Sequence, residues 1–209
     1  IIIDLDIAPP GILLWRSLLQ WLGGIGIIVM ALAVMPLLRV GGMQLFRMES
    51  SDLSEKALPR AAQVAAAISV IYVCLTMIWA ALLWFAGMTG FDAISHSMTT
   101  IATGGFSTHN NSIGQFNNVL IDYIITVGMI IGSLPFLLYL MVLQGRSGML
   151  FRDTQVQWFL TFLVFVIAVV ALWLWTINGE SPFQAIRMAA FNVTSIMTGT
   201  GYVTAGFDQ

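Results

Sequence analysis

The sequence predicts an all-α membrane protein built from repeated units: a membrane helix, a short half-helix with a glycine loop, and a second membrane helix. Three observations predict it. Of 209 residues, 58% are hydrophobic and only 9% charged, against roughly a quarter charged in ordinary soluble domains. Four stretches, residues 12–38, 61–88, 119–143 and 158–177, each offer the roughly twenty mostly apolar residues that a spanning helix needs. A glycine-bearing segment also occurs twice, as I-A-T-G-G-F-S-T at 101–108 and M-T-G-T-G-Y-V-T at 197–204. One offset of 96 residues lays Gly105 on Gly201, Phe106 on Tyr202 and Thr108 on Thr204.

So much apolar surface cannot hide inside one soluble domain of this size, and lipid is the expected solvent. Pro9-Pro10-Gly11 blocks a helix before the first span, and Gly41-Gly42 breaks the chain after it. Trp15, Trp84, Tyr123, Trp158 and Trp175 sit near span ends, where amphipathic rings favour the interface. Six of the eight basic residues lie in two connections: Arg39, Arg47, Lys56 and Arg60 after the first span, Arg146 and Arg152 after the third. Basic loops stay cytoplasmic, so both glycine segments are expected on the outer side. Arg16 is expected to snorkel to the outer interface.

The run 91–100 is amphipathic but too short to span a bilayer. Gly104-Gly105 ends it, because glycine is a poor helix residue and accepts positive φ. The result is a half-helix that enters the membrane and a loop that climbs back out, and such backbone must be buried in protein or line a watery cavity. Asp92 lies in the first turn, where a carboxylate suits the positive end of the helix dipole. Ser181-Pro182 starts the second half-helix with a hydroxyl cap and a proline at the first helical position. Both half-helices then aim partly negative C-terminal ends at the membrane middle, which favours a cation there. In the third span, Gly128 and Gly132 predict close helix packing and Pro135 a kink. Gly23-Gly24-Ile25-Gly26 lies inside a span and predicts packing rather than nucleotide binding. Cys74 is expected to be a small buried hydrophobe.

The loops offer main-chain carbonyls, threonine hydroxyls and no charge. A file of carbonyls can replace the water around a potassium ion and still release it. The candidate ion-binding residues are therefore Ala102, Thr103, Gly104, Gly105 and Phe106, with Thr198, Gly199, Thr200, Gly201 and Tyr202 in the second copy. Phe106 and Tyr202 are expected to pack behind the loops as props. His96 is expected to make a structural hydrogen bond, Arg187 to pair with a carboxylate or cap backbone, and His109 to stand just outside the loop. A protonated ring at His109 would repel cations. Both histidines lack cysteine and carboxylate partners at metal-ligand spacing, which argues against a resident metal. No basic run suits nucleic acid.

These residues resemble the TrkH/TrkG/KtrB superfamily of bacterial potassium-uptake proteins, closer to the TrkH branch. I-A-T-G-G-F-S-T-H at 101–109 is similar to that family's second filter signature and T-G-T-G-Y-V-T at 198–204 to its third. L-Q-W-L-G-G-I-G-I at 19–27 and V-G-G-M-Q-L-F-R at 40–47 are similar to the end of its first repeat. The resemblance implies a share of a pseudo-fourfold potassium-channel-like pore, with filter glycines at Gly105 and Gly201. It also implies the bacterial inner membrane, a cytoplasmic nucleotide-binding regulatory subunit of the TrkA type that could meet the two basic loops, and a homodimer. Potassium is the transported ion, and no cofactor is expected on this chain.

The expected organisation follows. Residues 1–40 hold the second transmembrane helix of a first repeat whose pore loop is missing, and 41–60 form a cytoplasmic loop. Residues 61–145 form a complete repeat with pore loop 91–109. Residues 146–209 form a partial repeat with helix 157–177 and pore loop 181–204. The sequence is thus expected to be a segment of a longer protein. Two other functions compete with potassium uptake. One is an intramembrane lipid-modifying enzyme using His96 and Asp92. Against it, no nucleophile is paired with a base, and the position matching His96 in the second copy is Asn192. The other is a non-conducting assembly subunit, which intact glycines in both loops argue against.

Overall fold

The computed structural model describes residues 4–38, 54–146 and 148–204. The described elements are helices: α1 Pro10–Leu38, α2 Ser54–Phe85, α3 Gly90–Ile101, a 3-10 turn Ser112–Phe116, α4 Val119–Ser133, α5 Phe136–Leu143, α6 Gly148–Arg152, α7 Thr154–Thr176 and α8 Pro182–Met197. Loop A, 102–109, follows α3, and loop B, 198–204, follows α8. The glycine pair at 41–42, the motif at 40–47, Arg39 and Arg47 lie outside the described residues, as do the side chains of Lys56 and Arg60.

Two segments, Ala62–Phe85 and Thr154–Thr176, are each long and apolar enough to cross a bilayer. Helix α1 runs 29 residues from the Pro9-Pro10 start. The expected third span is not one straight helix. α4 and α5 reach membrane length only together, and they meet at 90°. The cause is Pro135, which lacks an N–H and pushes the residue before it out of the helical region. Leu134 accordingly sits at φ −75°, ψ 150°. The Ile131 carbonyl, whose usual helical donor would be the missing N–H of Pro135, accepts instead from Leu134 N at 3.3 Å and from the Tyr139 hydroxyl at 2.7 Å.

α3 and α8 are the two half-helices, of 12 and 16 residues. At 1.5 Å per residue they reach only about 18 and 24 Å, short of the ~30 Å hydrocarbon core. They end at matching positions, Ile101 and Met197, so the extra turn of α8 lies at its N-terminal start. Ser181 caps α8 by accepting from Gln184 N, and Pro182 follows it. Thr89 caps α3 by accepting from Asp92 N.

α3 packs against α1, α2 and α4, while α8 packs against α4 and α7. Both glycines of the G-x-x-x-G pair serve this packing. A Cβ on Gly128 would collide with Trp79 Nε1, and one on Gly132 would lie 2.7 Å from the Ile101 carbonyl oxygen. The central core joins Leu83, Ile125 and Met129 to Phe191 and Tyr202, so it bridges the two repeats. Cys74, expected inside, is exposed, as are Val73, Met77 and Ile78 beside it. Its position on an outward face of α2 reflects a helix whose apolar residues surround it, so composition alone does not mark the buried side.

Candidate functional site: the paired glycine loops

The half-helix α3 is polar where it is buried. Ser95, His96, Ser97, Thr99 and Thr100 are nearly inaccessible, and Ser97 Oγ returns a hydrogen bond to Ile94 O of its own helix at 2.8 Å. Other groups reach into the loops. Thr99 Oγ1 donates to the Phe106 carbonyl at 2.9 Å, and Ser195 Oγ donates to the Tyr202 carbonyl at 2.7 Å. The two bonds are related by the offset that relates the sequences. So are the turns: Gly105 N donates to Thr99 O and Gly201 N to Ser195 O, both at 3.3 Å.

The backbone follows the same path in both loops. Thr103 and Gly199 have φ of 50° and 73°, and Gly105 and Gly201 have φ of 73° and 87°. Left-handed residues thus stand at two matched positions, with one residue between them. Glycine meets this without a Cβ penalty; Thr103, β-branched, does not. The alternation matters because it sets how successive carbonyls point. Among the described hydrogen bonds, the carbonyls of Thr103 and Gly105, and of Gly199 and Gly201, accept no protein donor. The Ala102, Gly104 and Phe106 carbonyls accept from Thr103 Oγ1, Gln20 Nε2 and Thr99 Oγ1. In loop B, Thr198 and Thr200 join hydroxyls at 2.7 Å.

The loops meet. A Cβ on Gly105 would collide with the Thr200 carbonyl oxygen. Tyr202 of loop B is 1% exposed and places its hydroxyl against the Thr99 hydroxyl and the His96 carbonyl of α3. It is the expected prop, set on the neighbouring half-helix. Phe106 is not: it is 38% exposed and lies beneath Arg16, whose guanidinium carbon is 4.4 Å from the ring centroid. The Arg16 guanidinium thus rests on the aromatic ring of loop A. An aromatic face supplies part of the interaction that water would give it.

His96 braces the loop. Nδ1 is 2.8 Å from the Asp92 carbonyl, which can only accept, so that nitrogen carries a proton. Nε2 is 3.0 Å from Ser107 Oγ. Asn192, at the matching position, donates to Met188 O at 3.0 Å and Thr204 Oγ1 at 3.3 Å. Histidine and asparagine thus perform one task in the two copies. Farther out, Asp92 accepts from Thr108 at 2.6 Å and Thr89 at 2.7 Å. Burial pushes the Asp92 carboxyl up, but these hydrogen bonds and the nearby His109 and His96 outweigh it and hold the carboxyl below its ordinary range. His109 stands between Asp6, at 2.9 Å, and Asp92, at 3.5 Å, so carboxylates would offset the repulsion expected of a protonated ring. Arg187 of α8 lies 3.8 Å from Asp122 of α4.

The C-terminal end of loop B is clasped by the 3-10 turn. Ile113 N and Gly114 N both donate to the Val203 carbonyl, at 3.1 and 3.2 Å, and Val203 N donates to Ser112 Oγ at 3.3 Å. Sequence reasoning passed over this clasp, the Thr99 and Ser195 bonds, and Gln20. The 96-residue offset, extended back into the half-helices, would have found Thr99 and Ser195, two hydroxyl residues in register. Gln20 carried a different signal, as an uncharged amide inside a membrane-length run, where polar side chains need partners.

The model of the TrkH family, described as "Cation transport protein", matches residues 1–209. The chain is 43% identical over 208 residues to the Trk system potassium uptake protein TrkH of Escherichia coli K12, covering 97% of this chain and 43% of that protein. It is 41% identical over 206 residues to the Trk system potassium uptake protein TrkI of Halomonas elongata, covering 98% and 42%. The crystal structure of the potassium transporter TrkH from Vibrio parahaemolyticus superposes with a TM-score of 0.85 at 38% identity, covering 97% of this chain and 41% of that one. The chain thus spans less than half the length of the relatives it matches. With the helices, the paired loops and these likenesses together, the chain belongs to the TrkH family of cation transport proteins.

Proposed function

We propose that this chain contributes two of the loops of a potassium-selective path, as part of the pore-forming subunit of a Trk-type uptake system in the bacterial inner membrane. The observation that carries the reading is the matched pair of left-handed positions, 103 with 199 and 105 with 201. Among the described hydrogen bonds, their carbonyls accept no protein donor in either copy. Neutral oxygens of this kind suit a monovalent ion that must bind and leave. The ion-binding set is Ala102–Phe106 and Thr198–Tyr202, with Thr103, Gly105, Gly199 and Gly201 presenting the uncommitted oxygens. The Ala102, Gly104 and Phe106 carbonyls of loop A and the Tyr202 carbonyl of loop B are held by hydroxyl or amide donors that fix the loop shape. The contact between Gly105 and Thr200 suits neighbouring quarters of one pseudo-fourfold pore, in which 61–145 is a whole unit and 1–40 and 146–209 are parts of its neighbours. The relatives named as potassium uptake proteins support potassium as cargo, with no cofactor on this chain. A TrkA-like nucleotide-binding partner would dock at the basic connections around 41–60 and 146–152, and the pore subunit would pair as a homodimer.

The enzyme reading loses its ground in the geometry. His96 and Asp92 are spent on loop bracing, and Asn192 replaces His96 in the other copy. The test is Gly105→Ser in the full-length protein, with rubidium uptake measured under sodium competition in a host deficient in potassium transport. At least a tenfold loss of potassium-over-sodium preference is expected, since the added side chain meets the Thr200 carbonyl in a backbone that already disfavours it. Unchanged preference removes the filter assignment.

A further inference from the structure

We propose that Gln20 of α1 is a positioning residue for ion discrimination, holding the two peptides that flank Gly105; the inference rests on the filter reading above. Its Nε2 donates to the Gly104 carbonyl at 2.6 Å, and its Oε1 accepts from Phe106 N at 3.1 Å. A primary amide presents donor and acceptor in one plane. Here that plane bridges the peptides before and after the left-handed residue, Gly105 at φ 73°. Rotation of either peptide would break one of the two bonds. The clamp therefore fixes the direction of the Gly105 carbonyl, one of the uncommitted oxygens, without touching it.

Two further observations fit the same device. Arg16, Gln20 and Gly24 stand four residues apart, on one face of α1. They meet loop A in order: Arg16 over the Phe106 ring, Gln20 at 104–106, and Gly24 where a Cβ would lie 3.2 Å from Ala102 Cβ. The second concerns Gly104, whose φ is not left-handed. Its missing side chain has another reason, because a Cβ there would lie 2.5 Å from Gln20 Cδ. This accounts for why loop A reads Gly-Gly where loop B reads Thr-Gly: Thr200, at the position of Gly104, has no amide to admit. Among the described hydrogen bonds, nothing donates to the Thr200 carbonyl.

The test uses the full-length protein and rubidium uptake with sodium competition, normalised to the amount of protein in the membrane. Gln20→Met keeps the length and loses both bonds. It should strengthen sodium competition by about five- to tenfold, as expected for two hydrogen bonds at a strained site. Gln20→Glu keeps the shape but sets an oxygen against the Gly104 carbonyl, and should be at least as damaging. Wild-type competition in Gln20→Met, alongside altered competition in Gly105→Ser, overturns the clamp and leaves the filter standing. Wild-type competition in both variants fails the filter reading itself. If Gln20→Met does not accumulate, Gly104→Ala tests the contact from the loop side. It should alter competition in the presence of Gln20 and add nothing to Gln20→Ala. An equal effect in both backgrounds overturns the proposal.

Discussion

Loop A and loop B follow one backbone path but are held by different neighbours. Loop A is gripped from the side by Gln20 and covered by Arg16. Loop B is clasped at its C-terminal end by the 3-10 turn that follows loop A, through the Val203 peptide. Its aromatic residue is buried on α3, while that of loop A is half-exposed. What the copies keep is the part nearest the carbonyls: the left-handed pairs and the hydroxyl bonds from Thr99 and Ser195. What they vary is the support one layer out. The backbone shape is therefore the conserved quantity within this chain, and several side-chain solutions reach it.

The comparison can be broken first at its glycines. Gly105→Ser and Gly201→Ser should both lower potassium preference by competition uptake in the full-length protein, because both residues are left-handed. At Gly105 the added side chain also meets the Thr200 carbonyl. Wild-type preference in Gly201→Ser, with a loss in Gly105→Ser, would mean that this contact and not backbone strain sets the effect. Next come the shared hydroxyl bonds. Thr99→Val should exceed Ser195→Ala, because Thr99 serves both the Phe106 carbonyl and the Tyr202 hydroxyl. Each leaves a loop carbonyl short of a donor, a cost of about 1–3 kcal/mol, readable as a lower Tm of the purified protein.

The braces sharpen the comparison further. His96→Asn should retain most uptake, since Asn192 does this work in the other copy, while His96→Ala should lower Tm and uptake together. An enzyme would lose activity in both. The smallest effect belongs to Thr103→Gly, which copies loop B. Relief of a left-handed β-branched residue and the greater freedom of glycine in the unfolded chain nearly cancel, to within about 1 kcal/mol. A Tm shift larger than those of the brace variants would show that Thr103 has a role that Gly199 lacks.

Much of this was legible in the residues. The apolar runs gave the helices, Ser181-Pro182 gave the start of α8, and the 96-residue offset gave two loops of one shape. The break at Pro135 was legible as a kink, but its 90° angle and the Tyr139 hydroxyl on the Ile131 carbonyl were not, because they join residues that a helical pattern treats as separate. Cys74 was misplaced for a physical reason. Which side of an all-apolar helix faces protein is decided by its neighbours, and periodicity carries little of that information when every face is apolar. The Gln20 grip joins residues more than eighty positions apart, beyond the reach of local spacing.

At Gly105 the room left by an absent side chain is filled by an oxygen from the other copy. That oxygen belongs to the main chain, so no change of residue at 200 can withdraw it. Glycine at 105 should therefore persist whatever residue stands at 200, while the supports around the loops change independently.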